Sequence, residues 1–208
     1  MPAYRINNKN VLFIHVPKTG GTTVESFLET HGKMSLHNQG VKLLKPFSDS
    51  FLTRALPLQH FHAELLVAMF AADFFDYTFM IVRDPLQRMK SEYRHSRALG
   101  RLDTRLNFEH WVRLMFGLTA FAPNLRNNHF RPQSQFKCFN AEVFKLEDGM
   151  EHILGSVCIR LGIPAPGKIP HERKMIDSDF EVTSAAKAKV QAVYDADYRM
   201  FSYGDHNE

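Results

Sequence analysis

The chain has 208 residues, a length that suits a single domain, 1–208, with a sizeable core. Its 44% hydrophobic and 23% charged content is ordinary for a soluble globular protein, and no repeat, low-complexity tract or interdomain linker interrupts it. The formal net charge of +4 comes without a dense lysine–arginine run or aromatic–basic interleaving, so nucleic acid is not an expected partner. A basic site for anionic ligands accounts for the charge. No apolar run approaches the ~20 residues that a membrane span needs, and the polar lead MPAYRINNKN carries no secretory signal, so a soluble cytoplasmic location is expected. Cys138 and Cys158 lack C-x-x-C spacing and read as reduced thiols.

Residues 11–14, VLFI, predict a short buried strand. His15, Val16, Pro17, Lys18, Thr19, Gly20, Gly21, Thr22 and Thr23 follow, and then the period becomes helical, with Val24, Phe27 and Leu28 on one side and Glu25 and Glu29 on others. His31 and Gly32 supply a stop. The order is therefore strand, glycine-bearing loop, helix. Two glycines let the backbone approach a ligand closely, and the first N–H groups of the helix face an anion that its dipole favours. Lys18 adds charge, and Thr22 and Thr23 add hydroxyls. This is a phosphate cradle, although its lysine precedes the glycines, unlike the G-x-x-x-x-G-K-[ST] order of nucleotide triphosphatases.

Residues 33–57 read as irregular connections, 58–62 as a second strand, and 63–75 as a buried helix. On a strand, His60 and His62 would share a face. H-x-H can bind metal, but zinc needs further ligands at matching spacing, and none is expected here. Histidine also suits proton transfer near neutral pH. The run YTFMIV, 77–82, predicts a buried strand that ends at Arg83-Asp84-Pro85, where Asp84 caps a helix and Pro85 takes its first position. Leu86, Met89 and Tyr93 give that helix its apolar face, Gly100 ends it, and Arg88 and Lys90 read as surface charges. Asn107 caps the next helix, with Phe108, Trp111, Val112 and Met115 inward and Gly117 as its stop. A loop spans 117–135, a strand 143–146, and a D-x-x-E cap at Asp148 and Glu151 opens a helix through Leu161. A proline-rich loop, 163–170, precedes the last helix, which starts at Thr183 or Ser184 and turns Val190, Val193, Tyr194 and Phe201 inward. Alternating strands and helices imply a parallel sheet with ligands beyond its carboxyl edge.

HVPKTGGTT, 15–23, resembles the 5′-phosphosulfate loop of sulfotransferases that use 3′-phosphoadenosine 5′-phosphosulfate (PAPS), and is most similar to the carbohydrate sulfotransferase branch. IVRDPLQRMKSEY, 81–93, resembles the 3′-phosphate segment of the same superfamily, which places Arg83 and Ser91 on that phosphate. Arginine's planar fork suits the task. The resemblance implies an α/β, three-layer P-loop-like fold with a central parallel sheet flanked by helices. It implies cofactor contacts from Pro17, Lys18, Thr19, Gly20, Gly21, Thr22 and Thr23. Carbohydrate 2-O-sulfotransferases of this branch hold a His-x-His segment in the active site; the second position, His62, matches their base, with His60 beside it and Glu25 as a rival. NNHFRPQ, 127–133, resembles a stretch bordering the acceptor, which implicates His129, Arg131 and Gln133, and HERKM, 171–175, resembles a loop that closes on the cofactor.

The expected function is therefore sulfuryl transfer from PAPS to an acceptor hydroxyl, on a carbohydrate, without a metal. Relatives of this branch in the Golgi carry an anchor, so that location is expected only for a trimmed domain. The rival readings are a nucleotide or small-molecule kinase, in which Asp84 would hold Mg²⁺, and a non-catalytic relative that keeps cofactor binding.

Overall fold

The computed structural model describes residues 1–36, 58–167 and 180–204. Its centre is a five-stranded sheet in the order β3-β1-β2-β4-β5. β2 (Lys9–Ile14), β4 (Tyr77–Val82) and β5 (Glu142–Lys145) run parallel, while β1 (Ala3–Ile6) is antiparallel to both β2 and β3 (Lys33–Ser35). Val11, Leu12, Phe13 and Ile14 are fully buried, as a strand covered on both faces requires.

β1 corrects the expectation of a polar lead. Ala3, Tyr4 and Ile6 are buried, and Asn7 and Asn8, with φ of 47° and 62°, make a two-residue hairpin into β2. Asparagine tolerates this left-handed backbone better than most residues, but a four-residue strand is too short to announce itself by alternation.

Helices cover both faces. On one, α1 (Gly21–Glu29) and α6 (Met150–Leu161) pack Val24, Leu28, Ile153 and Val157 onto Val11, Phe13, Phe79 and Ile81. On the other, α2 (Ala63–Met69) brings Leu66 to Leu12, Ile14, Met80 and Val82. A third cluster joins α3 (Pro85–Ala98), α4 (Phe108–Thr119) and α7 (Ser184–Val193) around Met89, Tyr93, Trp111 and Val190.

The segment 58–62 is not a strand. Leu58–His60 is a single 3₁₀ turn, and His62 is the N-cap residue of α2. Instead of pairing with a sheet edge, Gln59 turns its amide into the fold to bond a buried carboxylate. The helix expected over 63–75 ends at Met69, where Phe70 is extended, and only Leu66 on it is buried. Gly117 does not stop α4, because the apolar face continuing through Phe116 outweighs glycine's helix cost of about 1 kcal/mol. Asp148 lies in a 3₁₀ turn rather than capping α6, which starts after Gly149 (φ 89°). The last helix breaks at Tyr194, whose buried hydroxyl donates to the Phe130 carbonyl, and restarts as α8 (Asp195–Met200). Within the expected loop 117–135 lie α5 (Leu125–Asn128) and a 3₁₀ turn, Gln133–Phe136. Most of the stretch 33–57, the end of the proline-rich loop and HERKM fall outside the described residues. Among the described residues, no helix is long and apolar enough to cross a membrane.

Candidate active site

β2 and β4 run in parallel, with Ile14, the end of β2, opposite Met80, two residues before the end of β4, so the segments that follow share one edge of the sheet. After β2 the chain turns through Lys18 and Gly20, with φ of 70° and 82°. Thr19 points inward and donates its hydroxyl to the Val16 carbonyl at 2.9 Å. α1 then starts at Gly21 without a side-chain cap, while the Thr23 N–H bonds back to the Gly20 carbonyl at 3.1 Å. A Cβ at Gly21 would fall 2.2 Å from the His15 Nε2, so only glycine lets the imidazole lie over the helix start.

After β4, Arg83 is fixed through its backbone. Its N–H donates to Gln133 Oε1 at 3.0 Å, and Gln133 Nε2 donates to its carbonyl at 2.8 Å. Its guanidinium reaches across to the Lys18 carbonyl at 3.5 Å. Asp84 caps α3 by accepting from the Gln87 N–H at 2.8 Å, with Pro85 at the first position. Ser91 projects from α3 on the cavity side.

These pieces enclose a cavity of about 870 Å³. Pro17, Lys18, Gly20, Gly21, Thr22, Thr23, Arg83, Ser91, His60 and His129 line it. Of the sequence-derived candidates, Thr19, His62, Arg131 and Gln133 do not. His62 lies behind the wall, its Nδ1 3.4 Å from Asn128 Nδ2 and its Nε2 3.6 Å from Glu64. Arg131 is spent on Asn128, Gln135 and Asn124, at 2.9, 2.7 and 2.9 Å. Gln133 is the buried clamp on Arg83. Arg88, read from the sequence as a surface charge, is fully buried, bonded to the Arg131 carbonyl at 2.8 Å and stacked over Tyr194.

The other wall is a row of imidazoles between two buried carboxylates. His15 Nδ1 lies 2.5 Å from Glu25 Oε1, and Gln59 Nε2 donates to both oxygens of Glu25 at 3.1 Å. The His15 ring meets His60 edge-on at 4.9 Å, and His60 meets His129 edge-on at 5.4 Å. His129 Nδ1 is 2.8 Å from Glu92 Oε2. Burial, then His15 and His129, push His60 well below its ordinary 6.5. Burial alone would raise Glu92, but His129, its hydrogen bond, Lys18 and His95 outweigh this and hold the carboxyl down at about 2.

His15, Gln59, Glu92 and His95 escaped the sequence reading as site residues. Glu25 and Glu92 carried one usable signal: each sits three residues from a buried apolar position, Leu28 and Met89, and so on the covered face of its helix.

A strand-terminal glycine loop facing an arginine and serine from the neighbouring strand and helix is an anion site of defined design. The chain belongs to the Sulfotransferase family, whose model matches residues 3–204. It is thus an enzyme by family, one that transfers a sulfuryl group. No curated protein and no solved structure matches it.

Proposed function

We propose that the protein moves a sulfuryl group from PAPS to a hydroxyl of a carbohydrate acceptor, on a three-layer, P-loop-like α/β fold. The observation that carries this reading is that the 17–23 loop and the Arg83–Ser91 pair line one cavity, 65 residues apart in sequence yet joined through the Arg83–Lys18 contact. The loop N–H groups, Thr22 and Thr23 hold the 5′-phosphosulfate, and Arg83 and Ser91 hold the 3′-phosphate. Lys18 stabilises charge growing on the leaving phosphate oxygen. No step requires a metal.

The base is assigned to His60 rather than His62. His60 lines the cavity and is held neutral by its surroundings, whereas His62 faces Asn128 and Glu64. His129 and its neighbours border the acceptor. The carbohydrate class rests on the likeness of the His-x-His and NNHFRPQ stretches to acceptor-facing segments of carbohydrate sulfotransferases.

Two measurements test this reading. Adenosine 3′,5′-bisphosphate (PAP) raises the melting temperature with chelator present, by mass action, and does so more than ATP with Mg²⁺; equal shifts would remove the 3′-phosphate site. Radiolabelled PAPS transfers to a member of a glycan panel, and the rate holds its plateau below pH 6.5, since His60 protonates only under its ordinary value. His60→Ala loses ~10²-fold or more in turnover and His62→Ala far less.

A further inference from the structure

The assignment of His60 leaves the more strongly built imidazole without a task. His15 is buried to 5% exposure, yet it lines the cavity. Its Nδ1 is committed to Glu25, and Gln59 fixes both carboxylate oxygens. The remaining nitrogen, Nε2, lies over Gly21, the first residue of α1, and the ring lines the cavity beside the glycine loop. We infer that His15 is a second catalytic residue, an acid that protonates the leaving 5′-phosphate, and that Glu25 is its positioning residue.

The inference rests on the sulfuryl-transfer reading. Everything else proposed to face the phosphosulfate at that point is a donor: loop N–H groups, threonine hydroxyls and Lys18. A bare lone pair on Nε2 would repel the anion, so the bound cofactor selects the protonated ring, and the Glu25 carboxylate supplies its compensating charge. A buried carboxylate that orients an imidazole through Nδ1 and presents Nε2 to the reacting group is a known catalytic arrangement on unrelated folds.

The step balances. The acceptor O–H bond breaks and its proton goes to His60. The acceptor oxygen forms its bond to sulfur as the bridging S–O bond breaks, and that electron pair stays on the 5′-phosphate oxygen. The proton of His15 Nε2 joins that oxygen, giving a sulfate ester and protonated PAP. Turnover ends with a proton gained at His60 and one lost at His15. Both rings line the cavity, so exchange with water entering after product release restores both.

The reverse half-reaction isolates the phosphate end. With para-nitrophenyl sulfate as donor and PAP as acceptor, at a pH where PAP carries one proton on its 5′-phosphate, the departing nitrophenolate is weakly basic and needs no acid, while that phosphate returns its proton to His15 in the reverse of the proposed step. His15→Ala removes the imidazole but leaves a buried carboxylate without it, which threatens the fold. Glu25→Gln is isosteric and therefore carries the test. The expected result is a fall in nitrophenol release of ~10-fold or more for Glu25→Gln and ~10²-fold for His15→Ala, with no further loss in the double variant. PAP affinity by calorimetry stays within about 3-fold of the parent for Glu25→Gln. Parental exchange by Glu25→Gln, or a loss matched by equal loss of PAP affinity, overturns the inference alone. A parent chain that neither binds PAP nor releases nitrophenol overturns the sulfuryl-transfer reading along with it.

Discussion

Two turns lead into the cavity wall, one through Lys18 and Gly20 and one just before His129, and they reach the left-handed backbone by different means. In the loop after β2 the conformation falls at Lys18 and at Gly20, beside a second glycine that admits an imidazole. In the segment before His129 it falls on three successive residues with side chains, Arg126, Asn127 and Asn128, at φ of 50°, 60° and 66°. There the strain is offset by contacts. Arg126 Nη2 bonds Asp103 Oδ2 at 2.7 Å, and Asn128 donates to the His60 carbonyl at 2.8 Å across 68 residues. Arg131 Nε donates in turn to Asn128 Oδ1 at 2.9 Å. The first turn is intrinsic to its own residues. The second exists only because the rest of the fold holds it.

Substitutions break this comparison at different depths. The largest effect belongs to Lys18→Ala, which on the proposed mechanism removes charge stabilisation that grows as the phosphate leaves. Turnover should fall by roughly 10²–10³-fold with the fold intact, measured as transfer from radiolabelled PAPS beside a thermal melt. A loss confined to KM would put Lys18 in binding alone.

Gly21→Ala comes next. Its Cβ would meet the rigid His15 ring, held by Glu25 and stacked on Phe13 at 5.5 Å, so something must shift. We expect a stability cost of about 1–3 kcal/mol in denaturant titration, together with weakened PAP binding. Tolerance of alanine would mean that His15 is not fixed where it lies.

Asn128→Ala strikes the second turn at its keystone. The residue is fully buried and bridges His60, His62 and Arg131. Its loss leaves the His60 carbonyl and the Arg131 guanidinium each short of a partner, and should cost about 1–3 kcal/mol of stability. Cofactor affinity should hardly change, because the loop and Arg83 stand apart from it.

The smallest effect is expected at Asn127→Gly. Asn127 is exposed and left-handed, so glycine relieves strain but adds freedom to the unfolded chain. The two should cancel to within about 1 kcal/mol. A large destabilisation would show that the Asn127 side chain, and not the surrounding contacts, holds the turn.

The same contrast explains what could be read from the sequence. β2, the loop, β4, the Asp84–Pro85 cap and the Asn107 cap are written in adjacent residues, and each forms where expected. The cavity wall is not. His15 meets Glu25 only when α1 folds back beside β2, and Gln59 and His60 join them from 34 and 45 residues away. His62 matched the branch pattern by position, but whether it or His60 faces the cavity depends on the 3₁₀ turn that replaced the expected strand. Arg88 looked like solvent-facing charge because nothing local reveals the Arg131 carbonyl or the Tyr194 ring that receives it.

The clamp on Arg83 bears on the order of synthesis. Gln133 holds the Arg83 backbone from both sides, and Gln133 is itself held by Asp197, whose oxygens accept from the Gln133 and Ser134 N–H groups at 2.7 and 2.8 Å. On the ribosome, at about 5–20 residues per second, the phosphate loop emerges well before Asp197. A nascent chain can therefore shape one half of its anion site early, yet Arg83 is locked only when α8 has left the exit tunnel. A chain arrested before Asp197 would hold the loop without its counterpart.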